Sequence, residues 1–381
     1  MKRITANWIT DSVTQKVCHM LKDAGYDCYF VGGCVRNALL NEPVNDIDIS
    51  TNALPDRVIE LAQSAGLHSI PTGIDHGTVT VIASGTPFEI TTYRRDIETD
   101  GRHAVVVFSD TIDDDARRRD FTMNALYADE NGVISDPLNG LPDLLARRVR
   151  FIEDADRRIK EDYLRILRFF RFHAWYGDVS AGLDPEGLAA TAANLAGLES
   201  ISKERIGSEL IKLLSAPDPA PSIASMAASG VLNVILPGSD AKYLPVLVHL
   251  EGNHKPDPIR RLAAIGGENA QKLLRLSKAQ SRDLHRLRDE IGSTRRPAEL
   301  GYRLGTNLAR DVILLRAALL EMPLELDAMK QIETGANAKF PVVAADLMPA
   351  YQGAKLGKKL SDLEVKWIKS GFTMAKDQLL A

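Results

Sequence analysis

Cysteine and long apolar runs are both scarce in this sequence. The three cysteines, Cys18, Cys28 and Cys34, are odd in number and lack the paired spacing of a metal site. We interpret them as buried or semi-buried thiols of a reducing cytoplasm. No apolar stretch is long enough to span a bilayer, and residues 1–10 lack the apolar segment of a secretory signal. We therefore expect a cytoplasmic protein without a membrane partner.

Repeats, low-complexity tracts and long linkers are also absent from the sequence, and no feature indicates an obligatory protein partner. The C-terminal half has three scattered histidines, His249, His254 and His285, without the His-Asp pair of a hydrolytic metal site. The length of 381 residues exceeds what one core usually holds, so we expect about two to four sub-domains.

The net charge of −4 is unevenly distributed. Residues 251–310 carry 13 Lys and Arg against 7 Asp and Glu, so this segment is +6 while the remainder is −10. A basic region on an acidic chain is typical of a docking surface for a polyanion. Solvated helix faces that are basic without any partner would explain the same count.

A glycine pair near the N-terminus carries the strongest pattern. The apolar residues 28–31 predict a strand that enters Gly32-Gly33, where the missing Cβ atoms permit a sharp turn and the close approach of an anion. Residues 34–40 predict a helix whose N-terminus favours phosphate, with Arg36 as a guanidinium donor. The pattern is not a P-loop, since no Gly-Lys-Ser/Thr follows, and it lacks the third glycine of a dinucleotide fingerprint.

Two aspartates follow the glycine pair. Asp46 and Asp48 are two apart, so on a strand both carboxylates project from the same side. Adjacent carboxylates repel unless cations lie between them, and paired Mg²⁺ ions that also bind a triphosphate would satisfy both. Glu89, on a strand predicted over residues 88–93, is a candidate third carboxylate, or else a paired carboxylate at a sheet edge. A turn with a solvated acidic edge is the alternative for the aspartates.

Residues 94–117 are polar, and their composition predicts a mobile loop over the site that ends in an acid-rich helix start. Residues 118–126 then show helical spacing. Arg119, Asp120 and Asn124 fall within about a turn of one another, which suits a cation for phosphate and two polar groups for a ribose hydroxyl. An ordinary capped helix with surface ion pairs is the alternative.

Residues 161–172 predict an unusually arginine-rich helix. Arg165, Arg168 and Arg171 recur every three residues, and Asp162 lies three residues before Arg165 on the same face. The helix is otherwise apolar nearly all round, which implies packing on most sides. Buried arginines need partners such as a triphosphate or a nucleobase. An exposed basic stripe is the alternative.

The pair Asp162 and Arg165 has a specific chemical use. A carboxylate accepts from the exocyclic amino group shared by cytosine and adenine, while an arginine donates to the neighbouring ring nitrogen. Uracil and guanine have the opposite polarity at both positions and would leave buried groups unpaired. Such a pair could select C and A without a template.

The remaining chain is mostly helical in pattern, and strand signals nearly vanish beyond residue 145. One amphipathic helix is expected over residues 1–28, and another strand over residues 78–82. Further helices are expected over residues 59–65, 141–145, 202–214, 258–265, 279–291, 308–320, 325–334 and 360–371.

Five motifs in order resemble the bacterial class II tRNA nucleotidyltransferase/poly(A) polymerase family. They are Gly32-Gly33-x-Val35-Arg36 with Asp46 and Asp48, Arg118-Arg119-Asp120-Phe121-Thr122-x-Asn124-Ala125-Leu126, Asp136…Gly140…Asp143-Leu144, Glu161-Asp162-x-Leu164-Arg165…Arg168…Arg171, and Glu204-Arg205…Glu209-Leu210. The likeness is strongest over residues 28–172. One position departs, because the family usually has Asp where this chain has Asn37.

The resemblance implies an α+β fold, with a small mixed-sheet, palm-like nucleotidyltransferase head followed by an all-α neck, body and tail. We expect the head over residues 1–145, a base-reading neck over 146–205, a body over 206–270 and a tRNA-binding tail over 271–381. The +6 segment would then contact the acceptor half of tRNA.

The resemblance also implies roles for single residues. Asp46 and Asp48 would hold two Mg²⁺ ions, with Mn²⁺ as the alternative ion, and Glu89 is the candidate third catalytic carboxylate. The nucleotide would be bound by Gly32, Gly33, Arg36 and Arg119 at the triphosphate, by Asp162 and Arg165 at the base edge, and with support from Asp120, Asn124, Arg168 and Arg171.

The expected reaction is in-line attack by the 3′-hydroxyl of tRNA on the α-phosphate of CTP or ATP. One metal ion would activate the hydroxyl and the other would neutralise the leaving pyrophosphate. Poly(A) tailing and partial addition of CC or A are the alternatives within the family. The full-length loop and the absence of a basic C-terminal block favour complete CCA addition. A non-catalytic RNA-binding module and a small-molecule nucleotidyltransferase are rivals, which the intact aspartates and the Asp162/Arg165 pair oppose.

Overall fold

The computed structural model describes residues 2–100 and 103–381, with side chains except those of 96–100 and 103–106. The described chain is α+β, as predicted, and forms two compact units, one ending at Pro237 and one running from Gly238 to Ala381. Among the described residues, no helix combines the length and the apolar character needed to cross a membrane.

All described strands lie in the first unit. They are β1 Tyr29–Val31, β2 Ile47–Thr51, β3 His68–Gly73, β4 Thr78–Ala83, β5 Thr86–Thr92, β6 Arg94–Asp100, β7 His103–Phe108, β8 Tyr127–Ala128 and β9 Ile134–Ser135. Seven strands form one mixed sheet in the order β3-β4-β5-β2-β1-β8-β9, and β6 and β7 form a separate hairpin. Strands β2 and β5 are parallel, and this pairing puts Asp48 beside Glu89.

Early helices of the first unit pack against this sheet, and the later ones follow without strands. They are α1 Asn7–Thr10, α2 Ser12–Lys22, α3 Gly33–Leu40, α4 Pro55–Ser64, α5 Ile112–Arg117, α6 Leu141–Leu145, α7 Ala155–Glu161, α8 Leu164–Tyr176, α9 Pro185–Ala193, α10 Lys203–Leu214, α11 Ala220–Ala228 and α12 Val231–Ile235. Several begin as the sequence dictates: Ser202 accepts from the Arg205 amide to cap α10, and α4 has proline at its first position.

The second unit is helical throughout its described residues. Its helices are α13 Leu244–Glu251, α14 Pro258–Ile265, α15 Ala270–Leu273, α16 Lys278–Ile291, α17 Pro297–Leu304, α18 Thr306–Leu319, α19 Ala328–Asn337, α20 Gly353–Lys369 and α21 Lys376–Leu380. The predicted helix over 258–265 is matched residue for residue by α14. Ser277 and Gln280 form a reciprocal capping box at the start of α16.

The core of the first unit follows the period-two pattern of the central strands. On β4 the side chains of Val79, Val81 and Ala83 are buried, and on β5 those of Phe88 and Ile90 are. The alternate positions stay more exposed, so one face of the sheet packs inward. This alternation is what turns the carboxylate of Glu89 outward from the core.

Two predictions of secondary structure near the seven-stranded sheet were wrong. The single helix expected over residues 1–28 is two helices, because Asp11 adopts an extended conformation between them and caps α2. The loop expected over residues 94–117 contains the hairpin β6–β7 before helix α5, and residues 101 and 102 lie outside the described residues. The β-branched and aromatic run of β7 carried the strand signal that the polar composition obscured.

Two helix predictions were wrong, one for residues 161–172 and one for residues 118–126. The expected helix over residues 161–172 is broken, since Asp162 is extended (φ −152°, ψ 105°) and separates α7 from α8. The break seats the Tyr163 ring over Gly197, where any Cβ atom would collide with it. Residues 118–126 form a short 3₁₀ turn over Thr122–Asn124 rather than an α-helix. Sequence spacing cannot anticipate such breaks, because tertiary packing decides them.

Candidate active site

A cavity of about 350 Å³ opens where β1, β2 and α3 meet the later helices of the same unit. It is lined by Gly32, Gly33, Arg36, Asp48, Arg118, Arg119, Asp120, Asn124, Asp162, Arg165, Arg168 and Phe172. Five arginines face three aspartates, so the lining is net positive and suits a polyanionic ligand.

The glycine pair forms the turn from β1 into α3. Gly32 has φ 68° and ψ −121° at the N-cap of the helix, a backbone conformation that residues with a Cβ atom rarely adopt. Its ideal Cβ would lie 3.4 Å from Nη1 of Arg119. Gly33 begins the helix in ordinary geometry, and its ideal Cβ would lie 3.8 Å from Nη2 of Arg36. Gly32 therefore supports the turn, whereas a Cβ atom at Gly33 would make only an ordinary van der Waals contact with Arg36.

Substitution of the two glycines is expected to have different consequences for stability. Gly32→Ala should lower the free energy of unfolding by about 1–3 kcal/mol, because alanine must adopt a glycine conformation. Gly33→Ala, the matched control, should change it by less than about 1 kcal/mol, because a helical alanine is unstrained there. Chemical denaturation of both variants measures the difference. Equal losses would contradict the strain at Gly32.

Arg36 is buried and held from three sides. Its Nη1 donates to Oδ1 of Asn124 at 2.6 Å, and its Nη2 donates to the Tyr176 hydroxyl at 2.9 Å. The guanidinium carbon also lies 4.0 Å from the centre of the Tyr176 ring. Burial lowers the pKa of Arg36 from its ordinary value. None of these partners is a carboxylate, so its charge is available to an anionic ligand.

Asn37, where the family usually has Asp, has a defined structural role. Its Oδ1 accepts from Nη2 and Nε of Arg36 at 2.9 and 3.2 Å, and its Nδ2 donates to the Pro43 carbonyl at 2.8 Å. The amide thus links Arg36 to the loop that precedes Asp46. A carboxylate could make the first contact but not the second, because it has no donor.

Asp120 is the hub of a buried polar network. It accepts from Nδ2 of Asn124 at 2.9 Å and from Nε of Arg168 at 2.8 Å. Burial would raise the pKa of Asp120, but the charge of Arg168 and these hydrogen bonds outweigh it and hold the pKa well below the usual range. Since Asn124 in turn contacts Arg36, the network fixes two arginines from one carboxylate.

Arg119 is anchored by residues that sequence reasoning missed. Its Nη2 donates to Oδ2 of Asp115 at 2.9 Å, and its Nε donates to the Tyr127 hydroxyl at 3.2 Å. Arg118 also pairs with Asp115, through Nη2 at 2.7 Å. The acid-rich start of α5, predicted to favour the helix dipole, therefore also holds the two arginines at the cavity wall.

The metal-binding prediction rests on three carboxylates. Asp48 is half-buried on β2, Asp46 is exposed just before that strand, and Glu89 is the exposed neighbour of Asp48 on β5. Burial, together with the negative charges of Glu89 and Asp46, raises the pKa of Asp48 to about 6. A carboxylate that is destabilised as an anion is one that a cation would stabilise, so the donor set fits a divalent metal.

These carboxylates do not form a complete metal cage. Among residues 2–100 and 103–381, with the side chains described, no group of three or more His, Cys, Asp or Glu side chains is close enough to hold a metal. A metal at Asp48 would therefore need oxygen ligands from its substrate, as Mg²⁺ commonly does when it binds nucleoside triphosphates.

Asp162 and Arg165 both line the cavity, although they do not share a helix face. Asp162 lies in the break before α8, where its Oδ2 accepts from Nη2 of Arg205 at 2.7 Å and its Oδ1 accepts from the Leu164 amide at 3.1 Å. Arg165 donates from Nη1 to Oε2 of Glu161 at 2.7 Å. Neighbouring groups therefore hold both side chains in place before any ligand binds.

The structure gathers most of the predicted nucleotide-binding residues and leaves out three of the predicted site residues. Gly32, Gly33, Arg36, Asp48, Arg119, Asp120, Asn124, Asp162, Arg165 and Arg168 line the cavity, whereas Asp46, Glu89 and Arg171 do not. The lining residues that were not singled out are Arg118 and Phe172. Both lay inside the conspicuous motifs, so closer reading of those stretches could have found them.

Comparison with protein families matches two parts of the chain. Residues 28–150 match the family model described as Poly A polymerase head domain. Residues 182–243 match the one described as probable RNA and SrmB-binding site of polymerase A. The first match spans the sheet and most of the cavity.

Individual proteins are similar over longer stretches. The human CCA tRNA nucleotidyltransferase 1, mitochondrial, is 34% identical across 93% of this chain and 86% of its own length. The CCA-adding enzyme of Geobacillus stearothermophilus is 39% identical over 228 residues, which are 59% of this chain and 54% of that protein. The crystal structure of the Bacillus stearothermophilus CCA-adding enzyme in complex with CTP aligns with a TM-score of 0.78 at 27% identity, covering 94% of both chains.

Proposed function

The chain belongs to the CCA tRNA nucleotidyltransferase family, and we propose that it adds C, C and A to the 3′ end of tRNA. CTP and ATP would supply the nucleotides, and pyrophosphate would leave. The observation that carries this proposal is the shared cavity, in which Asp48 lies with the cationic Arg36 and Arg119 and the Asp162/Arg165 pair. One ligand could contact all three groups, as a nucleoside triphosphate that reacts at its α-phosphate would.

Nucleotidyltransferases generally depend on a divalent metal. We propose that Asp46 and Asp48 hold two Mg²⁺ ions together with the triphosphate, with Glu89 as an adjacent carboxylate. Bound there, the metal would polarise the phosphate and lower the pKa of the attacking hydroxyl. The raised pKa of Asp48 and its proximity to Glu89 support this assignment.

The protein side chains would bind the triphosphate and neutralise its charge. The turn at Gly32-Gly33 leaves room for the triphosphate, and Arg36 and Arg119 would neutralise its charge. Asp120 keeps Arg168 and Asn124 in place beside it. Since these groups are already fixed by hydrogen bonds, they would need no rearrangement as charge develops at the phosphate.

Base selection is assigned to Asp162 and Arg165. Asp162 would accept from the amino group of cytosine or adenine, and Arg165 would donate to the adjacent ring nitrogen. The contacts of Asp162 with Arg205 and of Arg165 with Glu161 support this role, because they hold in place two side chains that line the same cavity. Reading by the protein alone makes addition independent of a template.

We further propose the division into a head over residues 1–145, a neck over 146–205, a body over 206–270 and a tail over 271–381. The basic segment 251–310 would contact tRNA from the body and tail. The three buried, unpaired cysteines are consistent with the reducing cytoplasm as the location.

The experiment incubates the protein with Mg²⁺, labelled CTP and ATP, and tRNAs lacking CCA, CA or A. We expect all three to be extended to CCA and no further, and Asp46→Ala to lose this activity. A stall after CC, or extension from the CC end alone, would make this a partial-addition enzyme. An unlimited A ladder would make it a poly(A) polymerase, and no incorporation would refute the proposal.

A further inference from the structure

A second cavity, of about 460 Å³, lies in the same unit and is linked to the first by a hydrogen bond. Tyr176 lines it, and the Tyr176 hydroxyl accepts the hydrogen bond from Arg36 of the first cavity. Arg171, which was predicted to bind nucleotide and is absent from the first cavity, lines this second one. Its size is within the range of small-molecule sites. None of the roles assigned above uses it.

The most conspicuous group of this cavity is an exposed tryptophan. Trp175 is 40% exposed, although tryptophan usually packs inside. Its Nε1 donates to the Lys212 carbonyl at 2.8 Å, which fixes the plane of the indole. A rigid aromatic face held open to solvent beside a cavity is suited to stacking a planar ligand.

The polar groups of the cavity suit a phosphate ester. The Lys212 ammonium is exposed and lies 3.7 Å from Oε1 of Glu209, whose other oxygen accepts from Arg171. Ser215 and Asn45 add neutral hydrogen-bonding groups, while Glu42 is the acid of the lining. Glu209 balances Arg171 behind the lining, whereas Lys212 is exposed and only loosely paired, so Lys212 is the cation that a phosphate can reach.

The location of the cavity relates it to the reaction. Asn45 directly precedes Asp46, so the cavity approaches the segment that carries the catalytic aspartates. A template-independent polymerase must bind a second substrate, the RNA end that supplies the attacking hydroxyl. That end differs at each step, since it is first any base and then C. Its site must therefore tolerate different bases, and stacking on an aromatic ring does so because every base has a π-face.

We propose that this second cavity binds the 3′-terminal nucleotide of the acceptor RNA, with its base stacked on Trp175 and its phosphate at Lys212. This inference rests on the proposed function and adds a site for the second substrate. The first cavity recognises the incoming nucleotide by the hydrogen-bonding edge of its base. The second cavity binds the growing RNA end whatever its terminal base is.

The test measures binding of a fluorescent acceptor-stem RNA that ends before the CCA sequence, in the absence of nucleotide. Trp175→Ala should weaken RNA binding by about 5- to 150-fold, the factor that corresponds to loss of one base stack. Trp175→Phe should recover most of the affinity, because it keeps an aromatic face. Val179→Ala, at an exposed position outside the lining of this cavity, is the control and should bind as the wild type does.

An RNA with an abasic terminal nucleotide makes the test independent of folding. The wild type should bind it less tightly than the parent RNA, whereas Trp175→Ala should bind both equally. The affinity for CTP should be the same in all variants, which also reports that they are folded. If the wild type binds the abasic RNA as tightly as the parent RNA, the subsite is refuted.

The outcomes separate this inference from the proposed function. If the wild type extends tRNA but Trp175→Ala binds RNA normally, the subsite is wrong and the CCA-adding function stands. If the wild type adds no nucleotide to any tRNA, the proposed function fails, and the abasic comparison still decides whether Trp175 stacks an RNA end.

Discussion

Asp48→Asn is expected to abolish nucleotide addition while stabilising the metal-free protein at pH 7.5. The rate should fall by about 10³-fold or more, because a metal supplies several kcal/mol of transition-state stabilisation and loses its ligand here. In the same variant the free energy of unfolding should rise by about 1–2 kcal/mol, because burial and the charges of Glu89 and Asp46 destabilise the ionised carboxylate. Single-turnover kinetics and thermal unfolding in a chelator measure the two effects.

The direction of the pH dependence follows from the raised pKa. Asp48 titrates near 6 in the folded protein and near 3.8 when unfolded, so between these values the folded state binds more protons. The wild type therefore loses stability as the pH rises through this window, whereas the asparagine variant does not. The stability difference should be near zero at pH 4 and complete above pH 6.

The control for Asp48→Asn is Asp75→Asn, which removes an exposed carboxylate from the same unit. This control should change neither activity nor the pH profile of stability. Added Mg²⁺ with a nucleoside triphosphate should stabilise the wild type and not Asp48→Asn. If the asparagine variant is less stable than the wild type at pH 7.5, then burial and the neighbouring negative charges do not destabilise the ionised carboxylate of Asp48 as described.

Asp162→Asn is expected to weaken the discrimination between CTP and UTP. A site that hydrogen-bonds its substrate rejects the wrong partner by about 10⁴–10⁵-fold. The asparagine amide can donate as well as accept, so it satisfies the O4 of uracil as readily as the amino group of cytosine. We expect kcat/KM for CTP to fall and the preference for CTP over UTP to drop by at least about 100-fold.

Arg205→Ala tests how much of the discrimination depends on the orientation of the Asp162 carboxylate. This variant keeps the carboxylate but removes the guanidinium 2.7 Å from its Oδ2, so a smaller loss of discrimination is expected. Asp56→Asn, at an exposed position in the first turn of α4, is the control and should retain the wild-type preference. If Asp162→Asn discriminates CTP from UTP as the wild type does, the base is read elsewhere.

Patterns of neighbouring residues were reliable where local geometry decides the structure. The strand, glycine turn and helix around Gly32 were predicted, as were the carboxylates on adjacent strands, because the period of a strand dictates which side chains share a face. The helical character of the later chain was also predicted. The likeness to a family came from motifs of this kind, each confined to a short stretch.

Contacts between distant residues were not predictable in this way. Asp120 and Arg168 are 48 positions apart, and Asp162 and Arg205 are 43 apart, yet both pairs are in hydrogen-bond contact. The same packing overrode local preference where it broke the arginine-rich helix at Asp162. Asp115 was predicted only as part of an acid-rich helix start, and Tyr127 and Trp175 gave no signal, because their contacts depend on partners brought together by folding.

The sequence by itself determined the chemistry of this protein: which residue types carry negative charge, positive charge and the glycine turn, and in what order. Only the tertiary structure decided which arginine is paired with a carboxylate and which is open to a ligand, and it raised the pKa of Asp48 by burying it beside Glu89. The physical reason is that local propensity acts over a few neighbouring residues, whereas desolvation and electrostatic coupling depend on every group within a few ångströms.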